Sequence, residues 1–81
     1  SQLVPHEELP ARTMTLARRI ASGPPIGQRL AKMVMQRSMD MNLETSLELA
    51  AASESITLTS EDHREGLAAF REKREAKFRG L

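Results

Sequence analysis

The stretch Ser60–Leu81, SEDHREGLAAFREKREAKFRGL, decides how the rest of the chain is read. Ser60 is a strong helix N-cap type, and Glu61, Asp62 and Glu65 follow in the first turns, where negative charge suits the helix dipole. Arg71, Lys73, Arg74, Lys77 and Arg79 crowd the other end, and Gly80 supplies a stop. These signals predict one helix from Glu61 to about Arg79. Leu67, Phe70, Arg74 and Phe78 recur at steps of three and four, which gives a narrow apolar stripe interrupted by a cation. Gly66 costs about 1 kcal/mol against alanine inside a helix, so a close neighbour is expected there.

Upstream, punctuation divides the chain into further short helices. Ser1 to Leu9 reads as an extended lead-in and a short helical turn after Pro5. Pro10 opens a helix to about Ser22, with Thr13, Leu16, Ala17 and Ile20 on one face. Gly23-Pro24-Pro25 ends it, and a second helix restarts near Pro25. In that helix Ile26, Leu30, Met33, Val34 and Met41 form one apolar face, and Ala31, Met35 and Met39 form a second. A helix apolar on two sides is packed on two sides. Asp40, Asn42 and Thr45 mark the next start, and Leu43, Leu47, Ala50, Ala51 and Leu58 are spaced for a third helix over about Leu43 to Leu58. The fold class is therefore all-α, with about four short amphipathic helices.

Eighty-one residues form one domain at most, with a thin core, since Phe70 and Phe78 are the only aromatics. Twelve basic against eleven acidic residues leave a net charge of +1, so no long-range field draws nucleic acid or an anionic membrane. Stacking aromatics are lacking as well, so no nucleic-acid partner is expected. No apolar run is long enough to span a membrane, and no secretory h-region is visible. With no cysteine there is neither a disulfide framework nor a thiol nucleophile. A cytoplasmic location is expected, and an organellar matrix stays open because an upstream address would not be seen.

The search for independent chemistry returns nothing. His6 and His63 stand at opposite ends of the chain, so no metal site is expected. The acidic residues, Asp62 and Glu65 among them, all fall on polar faces or helix starts, and none is expected to be buried with a raised pKa. No glycine-rich phosphate loop or nucleophile elbow is present.

Ser60-Glu61-Asp62-His63-Arg64-Glu65-Gly66, followed by Ala69-Phe70, Lys73-Arg74, Phe78 and Gly80, resembles the C-terminal signature of the crotonase superfamily, the enoyl-CoA hydratases and isomerases. Val4-Pro5-His6-Glu7-Glu8-Leu9, with Leu16-Ala17 and Ile20-Ala21 after it, resembles the segment that follows that family's α/β core. The likeness covers essentially the whole chain but only the C-terminal third or so of a family member. It implies that residues 1–9 lead in from an upstream core and that residues 10–81 are a C-terminal helical domain. It implies a role in a lyase or isomerase of fatty acyl-CoA metabolism, as trimer contacts and as the rim of the acyl-CoA site, with a homotrimer or hexamer as the assembly. By the resemblance, Phe70 lines the fatty-acyl pocket and Lys73 approaches the phosphate and adenine end of CoA. Coenzyme A enters as part of the substrate and no separate cofactor is implied. The catalytic groups of such enzymes lie upstream, so no catalytic residue is expected in this chain and the segment alone should be inert. Read without the resemblance, Phe70 is core more readily than ligand contact, the Arg71 to Arg79 cations complement a helix C-terminus, and Arg74 pairs with a carboxylate across an interface. The alternative is a free-standing helical adaptor that binds a partner helix through the methionine faces of the second helix.

Overall fold

Helix starts and stops are written locally in this chain, and most elements follow them. The computed structural model describes residues 2–81; Ser1, the first residue of the expected lead-in, lies outside them. A 3-10 turn, His6–Glu8, precedes four helices: α1 (Leu9–Ala21), α2 (Pro25–Ser38), α3 (Leu43–Leu58) and α4 (Glu61–Glu72). Pro10 sits in the first turn of α1 and Pro25 opens α2, positions where the missing N–H costs nothing. Asn42 caps α3 by accepting the Thr45 N–H at 2.8 Å, and Ser60 caps α4 by accepting the His63 N–H at 3.1 Å.

α2 and α3 form an antiparallel hairpin: the Gly27 backbone at the start of α2 lies beside Thr57 near the end of α3. Of the first apolar face expected in α2, Ile26, Leu30, Met33 and Val34 are half-buried as their spacing predicts, whereas Met41, also half-buried, lies beyond the end of the helix at Ser38. The second face is open, with Met35 at 71% and Met39 at 87% exposure. In α3 the expected face is corrected in part, since Ala50 meets α2 as expected and the leucines do not. Leu43, Leu47 and Leu58 stay exposed, whereas Ala50, Ser53 and Thr57 line the groove against α2. Small side chains let the two backbones approach, and the larger leucines are left on another side.

The expected last helix is also corrected. α4 stops at Glu72, seven residues short of Arg79, because Lys73 adopts a left-handed conformation (φ 54°, ψ 45°). The Lys73 N–H donates to the Phe70 carbonyl at 3.4 Å and the Arg74 N–H to the Ala69 carbonyl at 3.0 Å. This is the bonding of a Schellman motif, found here on a lysine in place of the usual glycine. Residues 74–81 then return along α4, until the Leu81 carbonyl accepts the Asp62 N–H at 3.0 Å. The proposed stripe of Leu67, Phe70, Arg74 and Phe78 is therefore not one helix face. Lys77 and Arg79 lie back along α4, and Arg71 is the cation left in its last turn.

Ala69 is the one apolar residue buried outright among the described residues. The radius of gyration is 15.8 Å, against about 12 Å for a compact chain of this length. The chain exposes 7114 Å², where a compact monomer of its mass exposes about 4,900 Å². α1 stands furthest apart: its substantial contact is with the 3-10 turn, and Leu16 and Ile20 remain more than half exposed.

Candidate functional site

The end of α4 and the returning tail bring together most of the residues that the sequence singles out. Phe70 lies in the last turn of α4 and is 85% exposed, so it is not a core residue of this segment. Lys73 follows at the chain reversal, also exposed, with its backbone bonded to that of Phe70. An aromatic ring and an ammonium thus stand free at one helix end, a pairing suited to a ligand with an apolar part and an anionic part.

Two carboxylates hold the tail against α4. Glu65 receives Arg74 as a bidentate fork, with Nη1 to Oε2 at 2.7 Å and Nη2 to Oε1 at 3.0 Å. The Lys77 N–H donates to the same carboxylate at 2.8 Å. The Arg74 fork, and next the Lys77 N–H, lower the Glu65 pKa from 4.5 to about 2. The same pairing raises that of Arg74, which also reaches Glu72 from Nε at 3.1 Å. Arg74 therefore pairs within its own chain, and the expectation of a partner across an interface is corrected. Nine residues on a continuous helix are half a turn out of phase, so the Glu65–Arg74 fork exists only because the helix stops between them.

Asp62 is the second anchor. It is 4% exposed, which corrects the expectation that no carboxylate is buried. Its Oδ1 accepts the Arg79 N–H at 2.8 Å and its Oδ2 accepts the Gly80 N–H at 2.9 Å. Both oxygens are engaged by backbone N–H groups, so the carboxylate holds the tail against α4. Gly80 takes φ 77° there, a conformation that glycine adopts without strain, and lies against Pro25. The close neighbour expected at Gly66 is Phe78: a Cβ on Gly66 would sit 3.7 Å from its ring.

A cavity of about 250 Å³ lies where the start of α2, the end of α3, α4 and the tail meet. Ile26, Gly27, Leu67 and Phe78 line it with mostly carbon surface, and His63 borders it from the first turn of α4. Neither Phe70 nor Lys73 lines that cavity. Among the described residues no group of three histidine or carboxylate side chains is placed to hold a metal ion, and no helix is long and apolar enough to cross a membrane.

Sequence reasoning passed over Asp62 and Glu65 as anchors, because their partners lie nine to eighteen residues away and are in part backbone N–H groups. The acidic first turn followed by a basic end is the available signal, and it suits dipole compensation equally well.

Known proteins resemble this chain in sequence and in the arrangement of its helices. The family described as enoyl-CoA hydratase/isomerase matches residues 1–80. The mouse protein named mitochondrial methylglutaconyl-CoA hydratase is 33% identical over 69 residues, which is 85% of this chain and 22% of the relative. The Escherichia coli K12 protein named 1,2-epoxyphenylacetyl-CoA isomerase is 34% identical over 79 residues, 98% of this chain and 30% of its own length. A crystal structure of an enoyl-CoA hydratase from Bacillus anthracis superposes with a TM-score of 0.91 at 33% identity, over 96% of this chain and 30% of that one. The chain therefore spans less than a third of each of these three proteins.

Proposed function

The chain belongs to the enoyl-CoA hydratase/isomerase family, and from that premise we propose that it is the C-terminal helical part of an enzyme acting on fatty acyl-CoA thioesters. Its own upstream core would carry the reacting groups and would cover the faces of α1, α2 and α3 that are open here. The helices would also supply subunit contacts in a trimer or a dimer of trimers. Phe70 would border the acyl chain and Lys73 the phosphates of CoA.

The observation that carries this reading is the exposed pair at the end of α4, in a chain matched to the family over nearly its whole length. Asp62, the one buried carboxylate among the described residues, is spent on the tail. Exposed Phe70 offers apolar area worth about 2 kcal/mol to an acyl chain when covered, and a compact ammonium suits a phosphate.

The test uses the whole enzyme with two substrates, crotonyl-CoA and crotonyl-pantetheine, which lacks the nucleotide and its phosphates. Hydration of crotonyl-CoA by the whole enzyme is expected, with none from the 81-residue chain alone. Lys73→Ala is expected to raise KM for crotonyl-CoA by about tenfold, the loss of one charge-assisted contact, and to leave KM for crotonyl-pantetheine in place. An equal effect on both substrates, or none, would remove Lys73 from the site. The open methionine face of α2 also suits a partner helix, and an adaptor of that kind would show no hydration in the whole protein.

A further inference from the structure

Lys73 sits in a backbone conformation that its own sequence opposes. Glu72-Lys73-Arg74-Glu75-Ala76-Lys77 is made of strong helix formers, and a left-handed backbone is disfavoured for a residue with a Cβ such as lysine. Left to local preference, α4 would run on past Lys73. Two sets of contacts oppose this. The Schellman bonds close the reversal itself, but they involve only residues 69–74 and are available to any helix end. The contacts that require reversal at this residue are those of Glu65, which grips Arg74 directly after the turn and the Lys77 N–H three residues further on. Continuation of the helix would carry Arg74 to the far side of α4 from Glu65 and break all three bonds.

We infer that Glu65 is a positioning residue for the CoA end of the site: through Arg74 and the Lys77 backbone it fixes the helix break at Lys73, and so fixes where the Lys73 ammonium stands. The inference rests on the role proposed above for Lys73 and adds a residue that need not touch the ligand. Glu65 lies eight residues before Lys73, so its effect on binding would pass through the backbone between them. Asp62 anchors the far end of the tail at Arg79 and Gly80, well past the break, and serves the fold more than the ammonium.

The experiment is a double-mutant cycle on the whole enzyme with Glu65→Gln and Lys73→Ala, read as KM and kcat for crotonyl-CoA and for crotonyl-pantetheine. Glu65→Gln keeps the side chain's length and an acceptor for the Lys77 N–H while removing the charge that holds Arg74. It is expected to raise KM for crotonyl-CoA severalfold, to change KM for crotonyl-pantetheine little, and to add nothing in the Lys73→Ala background, because residues acting as one unit are not additive. Arg74→Lys, which keeps the charge and loses the fork, is expected to act in the same direction and serves if Glu65→Gln folds poorly.

Effects of Glu65→Gln and Lys73→Ala that multiply, or a Glu65→Gln effect equal on both substrates, would overturn the inference and leave Glu65 as a stabilising contact only. If Lys73→Ala alone raises KM for crotonyl-CoA while Glu65→Gln and Arg74→Lys do not, the site stands and the positioning role fails. If Lys73→Ala changes nothing, the site reading itself fails and the inference falls with it.

Discussion

Asp62 is a buried anchor where the sequence shows only a negative charge at a helix start. Its two oxygens take the N–H groups of Arg79 and Gly80, and removing them leaves two backbone donors without partners. Asp62→Ala should therefore cost about 3 kcal/mol, with Asp62→Asn costing less because one acceptor survives; thermal unfolding of the enzyme with both variants checks the order. Glu65 is more open, and its ionisation is held by the Arg74 fork and the Lys77 N–H. A carboxylate whose folded pKa is depressed contributes stability that is present above its unfolded value, and that contribution is lost as pH falls through the folded value. For Glu65 that window runs from 4.5 down to about 2. A carboxyl-detected NMR titration should place its midpoint near about 2, and a midpoint near the ordinary value would mean that the tail is not clamped in solution.

At the scale of elements, the starts of the helices were legible and one end was not. Asn42 and Ser60 cap through bonds that reach three residues, and prolines set α1 and α2, so these boundaries need only neighbouring sequence. The break at Lys73 is different: nothing near it disfavours a helix, and the contacts that select the reversal come from Glu65, eight residues back along α4. The face of α3 was misread for a related reason. Leucine spacing marks what is apolar, whereas small side chains mark where a backbone can come close: Ala50 of the expected face does meet α2, but with Ser53 and Thr57 beside it in place of the leucines. Phe70 and Lys73 were legible as a pair only through resemblance to a family, since their spacing alone suits many helix ends. If the left-handed lysine is strained, Lys73→Gly should stabilise the ligand-free enzyme by about 1 kcal/mol. A lowered melting temperature would instead show that the ammonium has a structural partner.

For the whole molecule, area is the deciding quantity. An excess of about 2,200 Å² over a compact monomer of this mass is on the scale of a substantial protein interface. It is spread over α1, the leucine side of α3 and the second face of α2, with Leu16, Ile20, Leu43, Leu47, Met35 and Met39 all open. Sequence reasoning foresaw the doubly apolar α2, because two stripes on one helix cannot both meet a single neighbour. What covers the second stripe is not written in its spacing, because apolar periodicity marks a face and not its partner. Covering by the rest of an acyl-CoA enzyme and docking of a separate partner helix make opposite demands on the two methionines. Mild peroxide oxidation of the whole enzyme, followed at Met35 and Met39 by peptide mass analysis, separates them, because oxidation follows access to the sulfur. Both methionines should resist oxidation until the enzyme loses hydratase activity; sulfoxide forming at both as fast as on free methionine, in protein that remains folded, would contradict the view that these helices are the covered flank of a larger acyl-CoA enzyme.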